Sequence, residues 1–281
     1  GPFAGKKVEE AKVLMSNVLF ESKDAVKYYE PMKPVTSRSG DDCVVALTDQ
    51  WFIKYGQEQW AQAVKQHVPA MNMFFPSIRN GVNETLDWLA EWPCSRNFGL
   101  GTTMPSHSNP NDRVIIDSLS DSTIYMAYYT VAKYLHNTVD DELSLDASKP
   151  NKYGITPEMM EGEAPWDYIL RGRGTAEELF AKTGLPVALA EEMRNEFSYF
   201  YPVDLRVSGK DLIPNHLTMF LYNHAAIWKD QPEMWPRGMY CNGHVQIDGA
   251  KMAKSAGNFV LLQDAIHEYS ADSTRLALAD A

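Results

Sequence analysis

Apolar residues at Val8, Ala11, Leu14, Met15 and Val18 fall on one side of a helical repeat, so the pattern predicts a helix over 8–21. A polar turn follows at Ser37 to Asp42, and behind it comes the β-prone run Cys43 to Leu47. Residues 56–92 read as helices, with Trp60, Val64, Phe74, Phe75, Leu86 and Leu89 as core candidates. Gly99, Gly101 and Pro105 break residues 93–105 into a loop with strand pieces. The chain turns helical and aromatic from Asp117 to Leu135, where Tyr125, Tyr128 and Tyr129 share one helix face. Residues 138–196 are polar and variable, as expected of surface helices joined by loops.

The pattern is most regular after Tyr201. Tyr201 to Val207 predicts a strand, Ser208-Gly209-Lys210-Asp211 a turn, and Pro214 the first turn of a helix. Leu217, Phe220, Leu221, Ala225 and Trp228 form that helix's apolar stripe. A second strand is predicted over Gly238 to Ile247, then a loop over 249–258 and a final helix from about Leu261. This order of strand, turn, helix, strand, loop and helix predicts an α/β doubly wound fold, with ligands at the carboxyl ends of the strands.

Composition narrows the class. The chain is 44% hydrophobic and 22% charged, typical of a globular protein, and it has no apolar run long enough to span a bilayer. Three scattered cysteines with no Cys-x-x-Cys pair argue against a cysteine zinc site and for a reducing cytosol. The net charge of −11 disfavours a dedicated nucleic-acid module but leaves room for one focused basic face. The last helix reaches Ala281 with no Gly or Pro stop signal, so the sequence reads as a fragment.

Candidate chemistry concentrates in two places. Lys251-Met252-Ala253-Lys254-Ser255 sets two lysines three residues apart, able to face the charge that develops on a reacting triphosphate. Gly257 follows, and lets the backbone turn close to a ligand. Gly209-Lys210-Asp211 stands at the first strand-to-helix switch, where a glycine permits close approach and a carboxylate accepts two vicinal hydroxyls. Either motif alone is an ordinary surface loop or turn.

Together they resemble the leucyl-tRNA synthetases of the class I aminoacyl-tRNA synthetase group. Lys251 to Ser255 is similar to that group's KMSKS loop, with Ala253 in place of the usual serine. Trp92 to Gly101 resembles the stretch that re-enters the catalytic domain after the editing insertion. Asp121 to Tyr129 resembles the wall of the amino-acid pocket. The resemblance implies an α/β fold, the second half of a class I synthetase Rossmann-like nucleotide-binding domain with connecting α+β segments. It implies three parts: 1–55, leaving the editing insertion; 56–200, connecting; and 201–281, carrying the lysine loop.

The resemblance also implies roles. Lys251, Lys254 and Ser255 would act in catalysis, and Gly209, Asp211 and His216 would bind ATP with the two lysines. Tyr125 would line the leucine pocket, and Arg96 would bind the tRNA end or pin its own loop. ATP with Mg2+, leucine and tRNA(Leu) are the implied ligands, no protein metal site is expected, and the implied setting is the cytoplasm. No HIGH motif occurs, and Gly243-His244 does not supply one. The chain by itself is therefore expected to hold half of an adenylation site, to be inactive and to dissolve poorly. An isoleucyl, valyl or methionyl enzyme, or a non-catalytic binding or regulatory descendant, are the alternatives.

Overall fold

The computed structural model describes residues 3–37, 40–97, 99, 101–104, 114–136, 151–252 and 257–280. The chain divides into two units, Gly1–Asp49 and Gln50–Ala281. In the first, helix α1 (Val8–Glu21) forms where the spacing predicts it, yet it buries none of its residues. Strand β1 (Val35–Thr36) pairs antiparallel with β2 (Asp42–Cys43) across the polar turn. The β-prone run contributes only Cys43 to that ladder; Val44 and Leu47 are exposed.

The second unit begins with β3 (Phe52–Ile53), then α2 (Glu58–His67) and α3 (Pro76–Trp88). Strand β4 (Trp92–Pro93) returns antiparallel to β3, and β5 (Ser95–Arg96) pairs with β6 (Ile115–Ile116). A short helix α4 (Ser118–Asp121) leads through a 3-10 turn into α5 (Tyr125–Leu135). Helices α6 (Ala164–Arg171), α7 (Ala176–Thr183) and α8 (Val187–Phe200) follow. Helix α7 starts on a capping box: Glu178 N–H donates to the Thr175 hydroxyl at 3.2 Å, and Thr175 N–H donates to the Glu178 carboxylate at 3.0 Å.

Strand β7 (Arg206–Gly209), helix α9 (Thr218–Ile227) and strand β8 (Met239–Asn242) make the predicted crossover. The two strands are parallel, with Arg206 opposite Met239 and Gly209 opposite Asn242. The α/β element lies here; the other named strand pairs are antiparallel. A hairpin of β9 (Gln246–Ile247) and β10 (Ala250–Lys251) precedes α10 (Leu262–Tyr269) and α11 (Ala271–Asp280).

Two apolar cores hold this unit. One gathers Val64 and Val68 near α2, Val82 and Leu86 of α3, and Leu217, Phe220 and Tyr222 around α9. The other gathers Val131 and Tyr134 of α5, Ile169 of α6, Leu179 of α7, Met193 and Phe197 of α8, and Trp228. Each large apolar side chain so enclosed contributes about 1.5–3 kcal/mol. Helix α9 faces both cores, which is why its predicted stripe is buried and most of its other positions are too.

Several expectations are corrected. Helices α6 to α8, expected at the surface, enclose the second core. Phe74 and Phe75, expected inside, are half exposed and pack against the Tyr240 ring, edge-on at 5.6 Å and tilted at 5.7 Å. They follow α2 in a loop, where no helix face directs them inward. The first strand starts at Arg206 instead of Tyr201, and its first ladder bond runs from Arg206 N–H to the Gly238 carbonyl at 2.9 Å. Pro202 has no N–H to extend that ladder. The second strand stops at Asn242, because the chain leaves the parallel ladder to form the hairpin. Among the described residues no helix is long and apolar enough to cross a membrane.

Candidate functional site

Parallel pairing sends the segments after β7 and β8 away from the same edge of the sheet, since Gly209 and Asn242 are partners. The first segment carries Gly209, Asp211 and His216. Gly209 has an ordinary extended backbone; its value is space. A Cβ there would stand 2.6 Å from Asp211 Oδ1, so the Asp211 carboxylate leans over the glycine. Asp211 is exposed, and its carbonyl accepts a hydrogen bond from Asn215 Nδ2 at 3.3 Å.

From Ile213 to Leu217 the backbone widens into a single π-helical turn, and the Thr218 hydroxyl donates to the Ile213 carbonyl at 2.8 Å. Such turns often mark functional positions. This one buries His216 to 4% exposure and leaves its Nδ1 without a partner. Burial pushes the His216 imidazole below its usual value; a backbone hydrogen bond with Ser122 opposes this, and the Arg206 charge adds to it. The turn thus encloses an imidazole with one unpartnered ring nitrogen.

Ser122 belongs to the segment that opens α5 and carries Tyr125. That segment hangs on Asp117, a buried carboxylate at the start of α4. It accepts from Leu119 N–H at 3.1 Å, the Ser120 hydroxyl at 2.8 Å and Trp92 Nε1 at 3.2 Å. The Arg96 guanidinium lies 3.9 Å from Asp117 and donates to the Ser95 carbonyl at 2.7 Å, so it is bound to its own loop. Tyr125 is half-buried. Its ring lies 5.2 Å from that of Tyr129, and the guanidinium carbon of Arg206 stands 5.2 Å from its centre. Tyr128 and Tyr129 are exposed, and Tyr128 meets the His136 ring instead of the core.

The second segment carries the lysine loop. Asp248 and Gly249, both with positive φ, make the tight turn between β9 and β10 and set Lys251 opposite Gln246. Lys251 is exposed, and its carbonyl accepts from Asn258 Nδ2 at 3.0 Å. Gly257 takes a left-handed conformation with φ of 69°. Lys254 and Ser255 lie outside the described residues. Among the described residues no three His, Cys, Asp or Glu side chains are grouped to hold a metal ion.

The family profile "tRNA synthetases class I (I, L, M and V)" matches residues 8–281. The chain belongs to this family. This class I synthetase chain is 46% identical over 282 residues to the "Leucine--tRNA ligase, cytoplasmic" of Arabidopsis thaliana, covering 100% of the chain and 24% of that protein. It is 45% identical to the protein of the same name from Dictyostelium discoideum, covering 100% of the chain and 25% of that protein. It is 42% identical to the "Leucine--tRNA ligase" of Pyrobaculum neutrophilum, covering 99% of the chain and 27% of that protein. The class I synthetase chain thus spans about a quarter of the length of these relatives.

Sequence reasoning named Tyr125 and His216 but missed Arg206, which touches the first and lies near the second. An arginine at the start of a strand carries no local signal; only the packing of β7 beside the 122–125 turn gives it meaning.

Proposed function

We propose that this chain supplies the second half of the adenylate-forming site of a cytoplasmic leucine–tRNA ligase. The supporting observation is the parallel β7–β8 pair, which launches the Gly209–His216 turn and the lysine hairpin from one edge. In this reading ATP lies over Gly209, Asp211 accepts from the ribose hydroxyls, and neutral His216 bonds the nucleotide. Lys251 and Lys254 offset the charge that builds on the phosphates as pyrophosphate leaves, with Ser255 as the third catalytic residue of the loop. Tyr125 lines the leucine pocket, and the loop that Arg96 stabilises meets the end of tRNA(Leu). Mg2+ enters with the phosphates of ATP, since the described residues offer no carboxylate cage for it. Catalysis rests on positioning and electrostatics, without a covalent nucleophile. Residues 1–55 leave the editing insertion, 56–200 connect, and 201–281 carry the nucleotide half.

The test is leucine-dependent ATP–pyrophosphate exchange by the complete ligase carrying this chain. Lys254→Ala is expected to lower the rate by about 100-fold or more with folding intact. A near-normal rate would remove Lys254 from the mechanism, and absence of leucine-dependent exchange in the unsubstituted enzyme would refute the whole reading.

A further inference from the structure

Arg206 is a half-buried cation with few partners. Its Nε is buried without a hydrogen bond, and its Nη1 donates to the adjacent Val207 carbonyl at 3.1 Å. No carboxylate among the described residues forms an ion pair with it, although the chain holds 37 acidic residues against 26 lysines and arginines. Leaving such a donor buried and unpaired is costly, so the arrangement points to a partner from outside. The surroundings agree. The guanidinium stands over the Tyr125 ring, its charge reaches His216, and His216 itself has an unpartnered Nδ1. Strand register puts Cys241 on the same face of the sheet as Arg206, and Cys241 brings no negative charge there, because burial raises its thiol pKa.

We propose that Arg206 binds the anionic group of the reacting substrates, with the Tyr125 ring holding its guanidinium plane in place. This rests on the adenylation reading above. Two groups could supply the anion: the carboxylate of the amino acid or a phosphate of ATP. A planar guanidinium suits either, because two parallel N–H donors match a pair of oxygens. A lysine would keep the charge but lose both the fork and the ring contact.

The experiment measures exchange kinetics of the complete ligase with Arg206→Gln and Arg206→Lys, together with inhibition by leucinol, which lacks the carboxylate. Arg206→Gln is expected to raise one KM by about 10- to 100-fold, the loss of a charge-assisted pair of hydrogen bonds. A raised KM for leucine with unchanged leucinol inhibition assigns the carboxylate, and a raised KM for ATP alone assigns the phosphate. Arg206→Lys should recover only part of the loss. Parameters within two-fold of the unsubstituted enzyme, or leucine and leucinol weakened equally, overturn the proposal. Either of those results leaves the adenylation reading standing, because that reading fails only if the unsubstituted enzyme lacks leucine-dependent exchange.

Discussion

Acid should weaken the second unit, and one side chain carries a measurable part of that loss. His224 on α9 is fully buried: its Nδ1 bonds the Phe220 carbonyl at 2.9 Å, and its Nε2 bonds the Tyr201 hydroxyl at 3.0 Å. The carbonyl can only accept, so Nδ1 carries the proton and Nε2 takes the hydroxyl hydrogen. Burial pushes the imidazole from its ordinary 6.5 down to about 4, against the Phe220 bond. The unfolded chain therefore binds a proton that the folded chain refuses. The stability from a neutral His224 is present above the ordinary value and is lost as pH falls towards the folded one. Between pH 7 and pH 5 the linkage relation gives a loss of about 2 kcal/mol from this residue. Urea denaturation followed by tryptophan fluorescence, at pH 7, 6 and 5, measures it in the full chain. His224→Gln should be less stable at pH 7 yet show a shallower loss on acidification, by about the same 2 kcal/mol. Comparing slopes cancels the other histidines, including His216, whose burial acts in the same direction. Parallel slopes for the two proteins would refute the reasoning.

Two further outcomes follow from the geometry. Asp117→Ala removes the acceptor for Leu119 N–H, Ser120 and Trp92 at once, so unfolding free energy should fall by about 2–4 kcal/mol, read from the urea midpoint; a change below about 0.5 kcal/mol would contradict the role given to it. Gly209→Ala should leave the thermal midpoint nearly unchanged, because the atom it displaces is the tip of the Asp211 side chain, while raising the KM for ATP on the order of 10-fold in the complete ligase; an unaltered KM would separate Asp211 from the nucleotide.

The crossover was legible because β7, α9 and β8 are local: a glycine and an aspartate at the switch, a helical stripe, then a strand. The positions of Gly209, Asp211 and Lys251 were legible for the same reason. Long-range packing was not. Polar residues on α6 to α8 masked the face that closes on Phe197 and Trp228, and no pattern within 71–75 told that Phe74 would take a left-handed backbone and turn outwards. Arg206 was hidden in the same way, since its importance comes from Tyr125, about eighty residues earlier in the chain.

Helix α9 and its C-cap reach both cores, with Phe220 in one and the capping Trp228 in the other. Loosening one core should be felt in the other, because the helix that packs Phe220 into the first ends on the Trp228 that fills the second. The turn bearing His216, at the start of that helix, is therefore expected to respond to both cores. A cavity opened at Phe197, on α8, should loosen the His216 turn as surely as a change beside it, and hydrogen exchange at the two places should rise together.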